Sequence, residues 1–162
     1  MRIAVCGGGA CGEDDARLAE EVGRRLAEAG AVLVCGGLGG IMEAAARGAA
    51  AAGGLTVGLL PGLRGADANP HIRVPLPTGM GEGRNVLVAR AADAVIAIGG
   101  EWGTLSEVAL ARKIGVPVVL LRPTLARALG LEEAGSAEQA VTRALAHARR
   151  GRSAPTPGAF GG

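Results

Sequence analysis

Short runs of consecutive apolar residues alternate along the chain with longer segments in which apolar residues recur every three or four positions. The short runs are partly β-branched and typical of strands buried on both faces, whereas the longer periodicity predicts amphipathic helices. The predicted strands cover residues 3–6, 31–35, 55–60, 72–76, 94–98 and 116–121. The predicted helices cover residues 14–29, 40–52, 84–91, 104–115 and 137–149. This alternation predicts the α/β class, as a Rossmann-like three-layer sandwich with a mainly parallel sheet.

Three of the predicted strands lead through glycines directly into a helix. The connecting turns are residues 7–12, 36–40 and 99–103. The carboxyl ends of parallel strands meet at one edge of a sheet, and open α/β proteins bind their ligands at that edge. We therefore expect the three glycine turns to surround one ligand site.

The third turn has the features of a phosphate site. Two glycines end the strand 94–98, and a helical pattern begins near Thr104. The first turn of a helix presents backbone N–H groups without intrahelical partners, and the helix dipole adds partial positive charge. Glycine also removes the Cβ that would keep a phosphate away from the backbone. We predict phosphate contacts from Gly99, Gly100, Gly103 and Thr104, with a plain turn as the alternative.

The first turn contains the spacing G-x-G-x-x-G at Gly7, Gly9 and Gly12, between a strand and a helix. This spacing resembles the dinucleotide-binding fingerprint. However, the next strand ends in Cys-Gly-Gly without an acidic residue for a ribose hydroxyl, and the acidic residues 13–15 would repel a pyrophosphate. We favour a tight turn that keeps the pocket open, with Gly8 as a ligand contact.

Length and composition predict one nucleotide-binding domain over residues 1–150 and a disordered tail over residues 151–162. No apolar run is long enough to span a bilayer, and residues 1–6 resemble a strand rather than a signal peptide. We therefore expect a cytoplasmic protein without a membrane partner. The net charge is +2, the arginines are spread along the chain, and only Trp102 and Phe160 are aromatic. We expect no nucleic-acid partner, because stacking platforms for single strands are lacking.

The three cysteines are Cys6, Cys11 and Cys35, and they form no Cys-x-x-Cys pair. A metal site that also uses His71 is one interpretation. We favour Cys6 and Cys35 as small apolar residues at strand ends, because free cysteine buries easily. We therefore predict neither a metal site nor a resident cofactor.

Several motifs resemble the Lonely guy family, cytokinin-activating phosphoribohydrolases that have long been described as lysine-decarboxylase-like. The family's first glycine motif appears as Gly36-Gly-Leu-Gly-Gly-Ile-Met42, its arginine as Arg84, and its second motif as Gly99-Gly-Glu-Trp-Gly-Thr-Leu-Ser-Glu107. The resemblance implies a nucleotide site in which Arg84 and Glu107 are catalytic. It also implies ligand contacts from the first motif, at Gly36, Gly37, Gly40 and Met42.

The sequence departs from this family pattern in both later motifs. Gly99 stands in place of proline, Glu101 in place of glycine, and Ser106 in place of the first of two glutamates. The family's His-Glu pair before the arginine is Glu82-Gly83 here. The resemblance therefore supports the nucleotide-binding fold, whereas these departures count against the hydrolase activity.

A smaller group in the same superfamily, which includes a molybdenum-cofactor carrier protein, is equally similar. It shares the helix start Gly40-Ile-Met-Glu-Ala44 and the segment Glu107-Val-Ala-Leu-Ala111. The resembled families imply a homodimer or homotetramer. The helices 40–52 and 104–115 also look too apolar to face water on every side, which favours the same prediction.

Two functions therefore remain open. The first is hydrolysis of the N-glycosidic bond of a nucleoside 5′-monophosphate, with Glu107 stabilising an oxocarbenium-like ribose or orienting water and Arg84 holding the base or ribose. The second is a non-catalytic carrier or sensor of a phosphorylated nucleotide-like ligand such as molybdenum cofactor. We reject lysine decarboxylation with pyridoxal phosphate, because the single lysine, Lys113, lies near the end of its helix.

Each candidate residue also has a structural interpretation. Thr104 and Glu107 have the spacing of a capping box, and Arg84 can be a solvated residue at a helix start. Met42 is equally typical of a core position. Trp102 either shields the pocket or stacks on a base.

Overall fold

One sheet of seven strands forms the centre of the computed structural model, which describes residues 1–153. The strands are β1 (Arg2–Gly7), β2 (Val32–Cys35), β3 (Thr56–Leu60), β4 (Val74–Pro77), β5 (Ala94–Ile98), β6 (Val118–Leu121) and β7 (Glu132–Ala134). The helices are α1 (Glu13–Glu28), α2 (Ile41–Ala51), α3 (Asn85–Ala91), α4 (Trp102–Lys113) and α5 (Ala137–Ser153). The strand order is β4-β3-β2-β1-β5-β6-β7, and all neighbours are parallel. This is the predicted Rossmann-like sandwich, with a sheet that is parallel throughout the described residues.

A helical layer covers each face of the sheet, which explains the uninterrupted apolar runs of the strands. Ile3 and Val5 of β1 belong to the core beneath α1, α2 and α5. Ala4 and Cys6 of the same strand belong to the opposite core, beneath α3 and α4. Successive side chains of one strand therefore contribute to two separate cores.

The chain starts in the middle of the sheet. Strand β1 pairs with β2 on one side and with β5 on the other. The chain first builds outward to β4 and then returns to β5, so the direction of winding reverses between β1 and β5. The loops after these two strands diverge, and this leaves a crevice at the carboxyl edge of the sheet.

Both edge strands have features that oppose pairing with a further strand. Strand β4 contains Pro75 and Pro77, which lack a backbone N–H, and its four residues are exposed. Strand β7 begins with the exposed residues Glu132 and Glu133. Prolines and charges at sheet edges hinder edge-to-edge association.

Several predicted boundaries are wrong. The strand predicted at 72–76 lies at 74–77, and the last predicted strand begins at Val118 rather than 116. The sequence pattern does not predict β7, because two of its three residues are glutamates. Helix α5 ends at Ser153, so residues 151–153 are helical, and the rest of the predicted tail lies outside the described residues. Within residues 1–153, the helices are too short or too polar to cross a membrane.

Two predictions about helices also need correction. Helix α4 begins at Trp102, and its N-cap residue is Glu101, which makes no side-chain capping hydrogen bond. The capping box of Thr104 and Glu107 is therefore wrong. Residues 41–49 of α2 are buried or half-buried within one copy of the chain, so α2 does not offer the apolar outer surface that the sequence suggested.

Candidate functional site

A cleft of about 590 Å³ opens at the carboxyl edge of the sheet, where the turns after β1, β2 and β5 meet. This volume lies in the range of small-molecule sites. Residues from all three glycine turns line the cleft, as the sequence predicts. The predicted site residues among its lining are Gly8, Met42, Arg84, Gly100, Gly103, Thr104 and Glu107.

The N-terminus of α4 forms one wall of the cleft. The N–H of Leu105 donates to the carbonyl of Glu101 at 2.9 Å, so the amides of residues 102–104 precede the first intrahelical bond. These amides and the helix dipole favour an anion at this wall. The wall is built from Trp102, Gly103 and Thr104.

The glycines of this turn have different roles. Gly100 has a φ of 90°, and a Cβ there would lie 2.2 Å from Oγ1 of Thr104. A Cβ at Gly103 would meet open space. Gly99, with a φ of 54°, bends the chain beside Asp15 and does not line the cleft. Of the four predicted phosphate residues, the structure therefore brings three to the cleft.

Arg84 and Glu107 meet as a buried ion pair in the lining of the cleft. Their side chains are 7% and 9% exposed, and Nη1 of Arg84 lies 3.3 Å from Oε1 of Glu107. Nη1 also donates to Oδ1 of Asn85 at 2.9 Å. Neither residue is the solvated or capping residue that the structural interpretation allows.

One donor of Arg84 has no hydrogen-bond partner within residues 1–153. Nε of Arg84 is buried and has no hydrogen-bond partner among the described residues. A buried donor without a partner is costly, and a bound ligand oxygen would satisfy it. Arg84 therefore combines a guanidinium that Glu107 and Asn85 hold in place with a buried N–H that has no partner among the described residues.

Burial also changes the acid–base properties of this site. Burial raises the pKa of Glu107 to about 7, and the charge of Arg84 opposes that shift. Burial, followed by the nearby carboxylate of Glu107, raises the pKa of the Cys6 thiol well above its ordinary value. Cys6 and Cys35 are buried as predicted, whereas Cys11 is exposed and lines the cleft.

Asn85 is a site residue that the sequence analysis missed. It is buried, and it binds Arg84 through Oδ1 while its Nδ2 donates to Oγ of Ser106 at 3.0 Å. Oγ of Ser106 donates in turn to the carbonyl of Gly103 at 2.7 Å. Asn85 thus ties the arginine to the first turn of α4. The one available signal was an uncharged polar residue directly after Arg84.

The predicted contacts Gly36, Gly37 and Gly40 lie behind the cleft rather than in its lining. A Cβ at Gly36 would lie 2.3 Å from Nη2 of Arg84, so this glycine makes room for the guanidinium. Gly40 has a φ of 63°, and a Cβ there would lie 2.2 Å from the carbonyl oxygen of Gly8. Gly37, with a φ of 78°, packs against Leu60. Gly36 and Gly40 therefore shape the cleft indirectly, by leaving room for Arg84 and for the backbone of Gly8.

Acidic side chains in the cleft were also missed. Asp15, Glu82 and Glu101 join Glu107 in its lining. Asp15 pairs with Arg122 at 3.2 Å, and Arg122 has a positive φ of 49°. Within residues 1–153, no group of three or more His, Cys, Asp or Glu side chains is arranged to hold a metal ion.

Known proteins share the fold of this chain. The chain is 35% identical to the molybdenum cofactor binding protein of Rippkaea orientalis, with a TM-score of 0.85 over 90% of this chain and 95% of that one. It is 31% identical to the Moco carrier protein of Chlamydomonas reinhardtii, with a TM-score of 0.83 over 92% of this chain and 98% of that one. An uncharacterized protein of Archaeoglobus fulgidus is 46% identical over 123 residues, 76% of this chain and 81% of that protein.

These neighbours fit the Lonely guy-like grouping that the motifs indicate, and this grouping fits the binding of a nucleotide-like ligand. The model of one family matches residues 1–150, which include every strand and every residue of the cleft. The chain therefore belongs to the SLOG cluster4 family.

Proposed function

We propose that this protein binds and carries a phosphorylated pterin of the molybdenum-cofactor type in the cleft. The observation that carries the proposal is a pair of donor groups in residues that line the cleft, namely the α4 amides of residues 102–104 and the buried Nε of Arg84, which has no partner among the described residues. The first suits a phosphate, and the second suits a further oxygen of the same ligand. Two structural neighbours support the choice of ligand, since one is named a molybdenum cofactor binding protein and the other a Moco carrier protein.

A carrier needs binding without bond cleavage, and two features favour that. The carboxylate of Glu107 is engaged by Arg84, its ion-pair partner. Ser106 stands where the Lonely guy pattern has a second carboxylate, and it is exposed, hydrogen-bonded to Gly103 and Asn85, and outside the cleft lining. Within α4, Glu107 is therefore the single carboxylate in the cleft lining.

Hydrolysis of a nucleoside 5′-monophosphate is the second candidate function. One observation favours it, namely that burial raises the pKa of Glu107 to about 7. A carboxyl group with such a pKa, in a cleft, is typical of a general acid or base. In this alternative Glu107 stabilises positive charge on the ribose or orients the attacking water.

Thermal unfolding with added ligand tests the carrier proposal. Molybdenum cofactor or a stable phosphorylated pterin at about a hundred times its Kd should stabilise the fold by roughly 2.7 kcal/mol. Gly103→Val should abolish the shift, because its side chain would enter the space where the phosphate binds. Ala109→Val is the matched control, since it adds the same side chain at an exposed position of the same helix. Unchanged melting temperatures of the wild type with every phosphorylated ligand would rule the proposal out.

An assay for free base separates the two functions. AMP and an N6-modified AMP are incubated with the wild type and with Glu107→Gln, and the base is measured by chromatography. The carrier proposal expects no base from either protein. Base release by the wild type that falls by orders of magnitude in Glu107→Gln would establish the hydrolase instead.

Assembly into a homodimer or homotetramer is a separate proposal. Support for it comes from the second helical layer, where the apolar side chains of Leu87, Leu105 and Ile114 stay partly exposed. A second copy packed on α3 and α4 would bury them. Light scattering should give a multiple of 15.9 kDa at micromolar concentration, and a mass near 15.9 kDa itself would contradict the proposal.

A further inference from the structure

Trp102 occupies an unusual position for a large aromatic residue. It is the first residue of α4, lines the cleft, and is 75% exposed. Phe160, the second aromatic residue of the sequence, lies outside the described residues, and there is no tyrosine. Trp102 is therefore the one aromatic side chain available to the cleft within residues 1–153.

The neighbours of Trp102 leave its ring open. Gly100 and Gly103 carry no side chains, and a Cβ at Gly103 would meet nothing within 4 Å. Glu101 is exposed and extends no apolar cover. An indole that is exposed beside a ligand cleft has a face free for stacking, and covering it removes apolar area from water.

The indole of Trp102 lies beside the backbone amides that favour an anion. The indole belongs to the same helical turn as the amides of residues 102–104, which precede the first intrahelical bond. A ligand that places its phosphate on these amides brings its remaining atoms into the space that Trp102 borders. A planar ring on that ligand can then lie against the indole.

We propose that Trp102 is the specificity-determining residue of the cleft and stacks on the planar heteroaromatic ring of the phosphorylated ligand inferred above. Stacking on tryptophan depends on a flat π-system and tolerates many ring types. Trp102 therefore selects ligands that carry a ring over ringless phosphorylated sugars, and it does not distinguish a pterin from a purine.

Calorimetry with two probes tests this role. Neopterin monophosphate carries a phosphate and a pterin ring, whereas ribose 5-phosphate carries the phosphate without a ring. Trp102→Leu should weaken the affinity for neopterin monophosphate by roughly tenfold to a hundredfold and leave that for ribose 5-phosphate unchanged. Trp102→Phe keeps an aromatic ring, so its affinity for neopterin monophosphate should fall less. Its loss of binding free energy should be at most about a third of the loss in Trp102→Leu. Because the side chain is largely exposed, both variants should fold like the wild type, which circular dichroism checks.

The fluorescence of Trp102 also reports directly on its contact with the ligand, since the chain contains one tryptophan and no tyrosine. Saturating neopterin monophosphate should protect its emission from quenching by acrylamide, and ribose 5-phosphate should not. Equal binding of neopterin monophosphate by wild type and Trp102→Leu, or unchanged quenching in the bound state, would overturn the role of Trp102 while the carrier proposal stands. No binding of either probe by the wild type would overturn both.

Discussion

The two helical layers that cover the sheet are packed in different ways. Helices α1 and α2 approach so closely that a Cβ at Gly23 or Gly48 would lie 1.9 Å from a backbone carbonyl oxygen of the facing helix. The layer of α3 and α4, with the turn before it, instead holds four of the six buried polar or charged residues within residues 1–151, whose burial is described. These four are Arg84, Asn85, Thr104 and Glu107.

The two layers therefore meet different requirements, which are a stable fold in the first layer and the proposed ligand binding in the second. Close apolar packing stabilises the fold through burial of apolar area and dense van der Waals contact. Buried polar groups weaken a core unless they are fully paired, and here one donor, Nε of Arg84, has no partner among the described residues. The first layer should therefore respond to mutation through stability, and the second through stability and binding together.

The largest effect is expected where α1 and α2 touch. Gly48→Val would drive its side chain into the carbonyl of Glu20, so the helices must separate. We expect a loss of about 3 kcal/mol or more in the free energy of unfolding, measured with urea. Gly53→Val, just after the same helix, has open space for its Cβ but a positive φ of 74°, so it reports backbone strain without the clash. Equal losses in the two variants would show that the helix contact is not tight.

A pH series addresses the second layer. Burial raises the pKa of Glu107 to about 7, while an unfolded glutamate titrates near ~4.3. Between these values the folded protein holds a proton that the unfolded chain has lost, so this residue makes stability fall as pH rises. The loss is at most about 4 kcal/mol between pH ~4 and ~7.

The glutamine variant isolates this contribution. Glu107→Gln stays neutral at every pH, so the difference in unfolding free energy between wild type and variant should change across that pH window and level off above it. Surface carboxylates that are common to both proteins cancel in the difference. A difference that is independent of pH would mean that Glu107 titrates normally in the folded protein.

A smaller loss is expected when the link between Arg84 and α4 is cut. Asn85→Ala removes hydrogen bonds to Arg84 and to Ser106, so we expect a loss of about 2 kcal/mol in stability and weaker ligand binding. Ser106→Ala keeps the bond from Asn85 to Arg84 and should retain most of the binding. If both variants bind ligand like the wild type, Asn85 does not position the arginine.

The smallest effect has the opposite sign. Gly103→Ala adds a Cβ to open space within a helix, so it should stabilise the protein by about 0.5–1 kcal/mol. The same methyl group borders the proposed phosphate position, so the affinity for phosphorylated ligands should fall. Denaturation and calorimetry on one variant would then show stability and binding changing in opposite directions. A gain in both would place the phosphate elsewhere.

The sequence predicts the sheet well because its strands are apolar on both faces and their helices have a clear period. Strand β7 fails this rule, since Glu132 and Glu133 lie at an exposed edge where charge is tolerated. The site was predicted as far as its glycine turns, because parallel strands bring them to one edge. The contacts within the site were not predicted. Arg84 and Glu107 are 23 positions apart in the sequence, and the local spacing around Glu107 suggests a helix cap instead of this ion pair.

Gly36 restricts the order in which this sequence can accept substitutions during evolution. Because its missing side chain is the space that Nη2 of Arg84 occupies, any larger residue at 36 conflicts with the arginine held by Asn85 and Glu107. A change at 36 is therefore tolerable after Arg84 has been replaced by a shorter residue, and harmful before. Arg84 must therefore be replaced before Gly36, and lineages that retain the arginine should retain the glycine.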